Sequence, residues 1–197
     1  MPFVQIITDL SAVPETALFE RLHRAADLPP AARKALSVQL RDPQLPVREL
    51  LRLGEKLRRT TADLGARLVV NDRVDVALVL GADGVHLGRQ SMSVPQARAL
   101  LGPAAWISTS AHSIADVLAS ASAGANAALL SPIFASPGKP PPLGPAALTD
   151  ARAALQAAAQ SLTLFALGGI TPENAPTCFA AGAAGVAAIR ADLLPLL

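Results

Sequence analysis

The sequence predicts a single α/β domain, residues 1–197, folded as a (β/α)8 barrel of the TIM type. Three observations predict it. Eight short apolar runs recur along the chain, at 3–8, 35–41, 67–70, 84–87, 105–109, 127–131, 163–167 and 185–189. Longer stretches of helical character separate them, several opening on helix-capping residues. Hydrophobic residues make up 51% of the chain but aromatics only 3%, the aliphatic bias of a parallel sheet buried on both faces. The count of eight matches the barrel. An open doubly wound sheet, with one or two of the weaker Ala-rich runs forming helix instead, is the alternative that periodicity leaves in place.

In chain order, the run at 3–8 leads into a first helix that carries His23 at the surface. After the second run, basic residues between Arg48 and Arg59 recur beside Leu50, Leu51, Leu53 and Leu57 at helical spacing, so they form the solvated face of an amphipathic helix. The third run ends at Asn71-Asp72. Its helix starts with Arg73 and Asp75, a pair placed to form a structural salt bridge. The fourth run contains His86, expected as a packed, hydrogen-bonded histidine of the barrel wall. Ser93 with Gln96 three residues on forms a capping box. Ser113 caps the helix after the fifth run, with Asp116 in its first turn. Residues 131–144 hold five prolines and two glycines and form a long stiffened loop after the sixth run. Thr171 is expected to cap the helix after the seventh run, with Pro172 at its first position. Cys178 packs on that helix. Only 190–197 follow the eighth run, so the last helix is short or incomplete. The 197 residues sit at the lower limit for a fold that usually takes about 250.

Composition removes several function classes. The net charge is +2, so the pI of 9.2 rests on a few side chains and does not signal a nucleic-acid partner. The few aromatics offer no base-stacking platform. One cysteine excludes an intrachain disulfide and a zinc site built on several thiolates. No run of 18 uninterrupted apolar residues predicts a membrane span, and the N-terminus lacks the pattern of a signal peptide.

A barrel gathers its reacting groups at the C-terminal ends of its strands. The polar residues there include Thr8, Asp9, Gln39, Arg41, Asn71, Asp72, Ser110, His112, Ser131 and Lys139. Paired carboxylates are scarce, and phosphate-binding groups are not. Gly168-Gly169 follows the seventh run and opens the next helix, where small residues and free N–H groups can receive an anion. Ile189-Arg190, at the end of the neighbouring eighth run, would lie beside it. Barrels often hold a phosphate at this place.

Six segments together resemble the thiamine phosphate synthase and thiazole tautomerase family. They are Val38-Gln39-Leu40-Arg41, Val70-Asn71-Asp72-Arg73-Val74-Asp75-Val76-Ala77, Gly81-Ala82-Asp83-Gly84-Val85-His86-Leu87-Gly88, Ser131-Pro132-Ile133-Phe134, Leu167-Gly168-Gly169-Ile170 and Ala181-Gly182-Ala183-Ala184-Gly185-Val186. The resemblance runs in order from Phe3 to about Leu193. It implies a β/α barrel and a cytoplasmic enzyme of thiamine biosynthesis. Members often associate, so the resemblance leaves room for a homo-oligomer, but no sequence feature fixes the oligomeric state.

The family has two branches. One joins a pyrimidine diphosphate to a thiazole phosphate and releases pyrophosphate, with magnesium. The other aromatises a thiazole phosphate carboxylate and needs no metal. The synthase pattern implies Gln39, Arg41 and a lysine on the diphosphate, but the lysine position is Pro43. It implies magnesium on Asp72 and on a second aspartate, whose position is Ser91. Its hydroxyl-rich run before a lysine appears as Ser136-Pro137-Gly138-Lys139, and a serine beside the thiazole phosphate is replaced by Arg190. Ser110-Ala111-His112-Ser113 resembles the run that carries the tautomerase's acid–base histidine, and histidine titrates near neutral pH. Capping of the following helix is an equally weighted role for His112.

Three expectations follow. The first is a tautomerase-like isomerase with no cofactor, holding thiazole phosphate at Gly168, Gly169, Ile189 and Arg190. In it His112 shuttles the proton, and Gln39, Arg41 and Lys139 hold the substrate's carboxylate or phosphate, in a site that also includes Asn71, Ser110 and Ser136. The second is a divergent synthase with Asp72 as the main magnesium ligand and Arg41, Asn71 and Lys139 on the diphosphate. The third is a non-catalytic barrel that binds a thiamine-related phosphate and regulates.

Overall fold

The computed structural model describes residues 2–197, and Met1 lies outside them. The eight runs form eight strands: β1 (Phe3–Ile7), β2 (Leu36–Leu40), β3 (Arg67–Asn71), β4 (Gly84–Leu87), β5 (Trp106–Ala111), β6 (Ala127–Leu130), β7 (Thr163–Leu167) and β8 (Gly185–Ala188). All pair in parallel with their chain neighbours, and β8 pairs back onto β1 with Val186 opposite Val4. The sheet is closed, which removes the open-sheet alternative. β5 runs two residues past its expected end at 109, because Ser110 and Ala111 still pair with Leu129 and Leu130. That extension carries Ser110 up to the rim.

The helices are α1 (Glu15–Arg24), α2 (Pro30–Lys34), α3 (Val47–Leu64), α4 (Val74–Leu80), α5 (Val94–Leu101), α6 (Ile114–Ser122), α7 (Ala146–Ala157) and α8 (Ala175–Ala180). α3 contains the basic stretch and buries Leu50, Leu53 and Leu57, each contributing roughly 1.5–3 kcal/mol. The short α2 is an extra turn between α1 and β2. The capping box of Ser93 with Gln96 and the Ser113 cap both form. After β8 only a 3₁₀ turn, Leu194–Leu196, completes the chain.

Thr171 does not cap a helix. α8 begins at Ala175, and the segment before it is held by Asn174, whose Oδ1 accepts from the Thr171 N–H (2.9 Å) while its Nδ2 donates to the Gly169 carbonyl (2.9 Å). Pro172 sits in this turn and not in the helix. Cys178 is fully buried, and burial pushes its thiol up to about 11, so it packs as expected.

Strand alternation sends Val4, Val38, Val70, Val85, Ile107 and Leu130 outward, into one core shared with the helices. The inward residues divide the barrel in two. Ile7, Leu129, Phe165 and Ala187 make an apolar half. Gln5, Ser37, Gln39, His86 and Ser108 make a buried polar half. Polar groups enclosed this way must satisfy one another, and their bonding sets the floor of the site.

Candidate active site

An open cleft of about 750 Å³ lies over the C-terminal ends of β3, β4 and β5. Asn71, Asp72, Ser110 and His112, all anticipated from the sequence, line it together. Gly88, Arg89, Gln90 and Ser91, from the loop after β4, complete the lining.

The chain leaves β3 sharply at Asp72. Its φ is +64°, a left-handed conformation that aspartate tolerates better than most residues, and its N–H is anchored to the His86 carbonyl at 2.8 Å. Arg73 turns aside and pairs with Asp75, as its sequence position implied. Among the described residues, the Asp72 carboxylate has neither a hydrogen-bond nor an ion-pair partner. Its carboxylate is thus exposed and free on an unusual backbone position, a combination that clusters at functional sites.

Below it the buried polar side chains are paired in two separate groups, one around Gln39 and one around His86. Gln5 Nε2 donates to Gln39 Oε1 (2.9 Å), and Gln39 Nε2 donates to Asn71 Oδ1 (3.0 Å). Gln39 is therefore buried beneath the cleft, where it orients Asn71. His86 bridges Ser108 Oγ at 3.0 Å and Ser110 Oγ at 2.9 Å. Burial, and to a smaller extent the positive charge of Arg41, pull its pKa down to about 4, so the ring is neutral at pH 7. His86 is the packed wall histidine anticipated, and it also fixes the Ser110 hydroxyl at the rim.

Arg41 is held by its backbone. Its N–H donates to Thr8 Oγ1 (2.9 Å) and its carbonyl accepts from the same hydroxyl (3.0 Å), while its guanidinium lies 3.8 Å from Asp9. Pro43 is exposed on the turn that follows. His112 does not cap α6, a task done by Ser113. Its Nδ1 lies 2.8 Å from the Ser131 carbonyl, which fixes that nitrogen as the donor and leaves Nε2 without a protein partner. Its own N–H donates to Asp116 (2.9 Å), the main cause of a lowered Asp116 pKa.

Ser136 and Lys139 lie away from this cleft, on the β6–α7 loop, where the Lys139 N–H donates to the Ser136 carbonyl (3.2 Å). That loop is seated on Gly168 and Gly169. Ile133 and Phe134 donate their N–H groups to the carbonyls of Leu167 and Gly168, each at 2.9 Å. A Cβ on Gly168 would come within 2.7 Å of Pro132 Cα, and one on Gly169 within 2.6 Å of the Ala135 carbonyl. Both glycines have positive φ. Close packing thus accounts for them without any ligand. Beside them, the N–H groups of Gly169, Ile170, Ile189 and Arg190 make no hydrogen bond among the described residues. The loop after β8 is fixed from below by Arg21 of α1, which donates to the Arg190 and Ala191 carbonyls, both at 3.1 Å.

Sequence reasoning passed over Arg89 and Gln90. The signal was present: they fall at the end of β4, but the comparison of that run with an aspartate position drew attention to Ser91 alone. Ser91 has a structural task. Its Oγ accepts from the Gly88 N–H (2.7 Å), and its own N–H donates to the Gly88 carbonyl (3.2 Å), which latches a tight turn.

Among the described residues, no three His, Cys, Asp or Glu side chains converge on one point. Asp72, Asn71 and Ser110, which line the same cleft, carry a carboxylate, an amide oxygen and a hydroxyl, all hard oxygen donors. That set fits magnesium when phosphate oxygens of a ligand complete the shell, the usual way this ion is held.

Residues 4–191 match the thiamine monophosphate synthase family. The chain is 46% identical over 164 residues to thiamine-phosphate synthase of Methanoculleus marisnigri, covering 82% of this chain and 75% of that one. With thiamine-phosphate synthase of Roseiflexus castenholzii it shares 38% identity over 191 residues, covering 95% and 79%. Thiamine phosphate pyrophosphorylase from Pyrococcus furiosus has the same fold with a TM-score of 0.79 and 28% identity, covering 98% of this chain and 90% of that one. These relatives overturn the expectation of a tautomerase, and with it the metal-free isomerisation assigned to His112. That expectation gave too much weight to Pro43 and Ser91. A magnesium ion shared with a diphosphate needs only one protein carboxylate, and Asp72 is free.

Proposed function

Since the chain belongs to the thiamine monophosphate synthase family, we propose that it is a magnesium-dependent transferase that joins a pyrimidine diphosphate to a thiazole phosphate and releases pyrophosphate. The observation that carries this is the unpartnered Asp72 carboxylate, held at φ +64° in the wall of the cleft. A phosphate-only binding site would gain nothing from an exposed carboxylate, which repels an anion unless a cation lies between them.

Asp72 is the residue that would hold magnesium, with Asn71 and Ser110 presenting further oxygens. Magnesium bound there supplies charge neutralisation for the diphosphate as it leaves. Gln39 fixes the Asn71 amide from below, and His86 does the same for the Ser110 hydroxyl. His112 lines the same cleft with its Nε2 unpartnered and would contact the departing pyrophosphate. Arg41 adds positive potential at the end of β2. The free N–H groups of Gly169, Ile170, Ile189 and Arg190 would receive the thiazole phosphate between the ends of β7 and β8, with Lys139 and Ser136 on the loop beside them. With one group at the ends of β3 to β5 and the other at the ends of β7 and β8, the two reactants would be held together at the barrel mouth, and orientation of this kind is a large part of transfer catalysis.

Asp72→Asn tests the assignment. Asparagine also accepts the left-handed backbone, so the fold should persist. Pyrophosphate release should fall by about 100-fold or more, the scale for removing one electrostatic group from a reacting site. Release at the wild-type rate would overturn the role of Asp72.

A further inference from the structure

We propose that Arg89 is the cation that selects the diphosphate in this protein, and that Ser91 acts as the latch that presents it; this rests on the transferase function proposed above. Arg89 and Gln90 occupy the tip of the turn between Gly88 and Ser91. That turn is closed twice, by the Ser91 N–H on the Gly88 carbonyl (3.2 Å) and by the Gly88 N–H on Ser91 Oγ (2.7 Å). Both residues line the same cleft as Asp72.

The charges around the cleft single out Arg89. Arg73 is engaged by Asp75 at 2.5 Å, and Arg41 lies 3.8 Å from Asp9. Asp116, whose carboxyl the Arg89 charge helps to hold low, already accepts the His112 N–H at 2.9 Å. Arg89 has no hydrogen-bond or ion-pair partner among the described residues and is exposed. A guanidinium placed this way carries a full charge and a planar fork of donors suited to two phosphate oxygens. Pro43, at the end of β2, offers neither charge nor donor. The turn after β4 therefore supplies the positive charge that the turn after β2 lacks. A hydroxyl at 91 serves this better than a carboxylate, which would sit two residues away and neutralise the arginine.

Titration calorimetry with inorganic pyrophosphate in the presence of magnesium tests this on the full chain. Wild-type protein should bind, Arg89→Ala should bind about 10- to 100-fold more weakly, and Arg89→Lys should recover part of the loss. The wild-type affinity should also fall with salt more steeply than that of Arg89→Ala. In turnover, Arg89→Ala should raise KM for the pyrimidine diphosphate and leave KM for the thiazole phosphate unchanged. Because Arg89 is exposed and unpartnered, both variants should melt with the wild type. Equal pyrophosphate affinity in wild type and Arg89→Ala overturns the proposal, as does a wild-type protein that binds no pyrophosphate. Wild-type protein that binds pyrophosphate through Arg89 but joins no substrates leaves Arg89 standing and removes the transferase function instead.

Discussion

At the scale of single residues, the chemistry of the cleft depends on which polar groups are occupied and which are free. Gln39 and His86 carry polar atoms just beneath the cleft, yet both are buried and committed to neighbours. Asp72, Arg89 and the Nε2 of His112 are free. Sequence alone named most of these residues, because residue type and position at a strand end are both visible in it. It did not separate a group that contacts a ligand from one that supports a contact, since that depends on which side chain meets which across strands 32 to 34 residues apart in the chain. His86 makes this distinction measurable. Its pKa is about 4 in the folded chain against 6.5 when unfolded, chiefly through burial. Between those values the unfolded chain binds the extra proton. Stability is therefore full above pH 6.5 and falls as pH drops toward 4, by on the order of 3 kcal/mol from this residue. Urea midpoints measured across that window for wild type and His86→Asn should converge at low pH. Curves that run parallel would mean that His86 is not held neutral.

At the scale of elements, the strands and capping signals were legible because each is local. A short apolar run marks a strand buried on both faces, and Ser93 with Gln96 marks a helix start, without reference to the rest of the chain. The Thr171 cap failed for the opposite reason. Asn174 reaches back to Gly169 and Thr171 and stabilises a turn that competes with the first turn of helix, so α8 starts late. The same region shows why Gly168-Gly169 was ambiguous in the sequence. A glycine pair looks alike whether it admits a phosphate or a packed loop, and here the 131–144 loop lies directly against it. Gly169→Ala would force a left-handed alanine and a clash with the Ala135 carbonyl and Phe134. A loss of about 2–4 kcal/mol is expected on thermal or denaturant unfolding. KM for the thiazole phosphate should rise more than KM for the pyrimidine diphosphate, because the displaced loop lies on the β7–β8 side. Unfolding at the wild-type temperature would show that the loop is not seated there.

At the scale of the whole molecule, the barrel is built from strands of only four to six residues, and a 3₁₀ turn packs after β8. Among the described residues, no helix is long and apolar enough to cross a membrane. The division of the interior into an apolar half and a hydrogen-bonded polar half places the free carboxylate and the free guanidinium over the ends of β3 and β4, on the polar side. Fold and family were readable from pattern and motif. The choice of branch was not, because Pro43 and Ser91 read as losses when each position is judged by itself. In the folded chain, Ser91 closes a turn and Arg89 stands beside Asp72 in one cleft. The most direct measurement of the central claim is pyrophosphate release from the pyrimidine diphosphate and thiazole phosphate, assayed with magnesium and with a chelator. Stoichiometric pyrophosphate and joined product with magnesium, and neither with the chelator, is the predicted result. No pyrophosphate in either arm, or equal release in both, would contradict it.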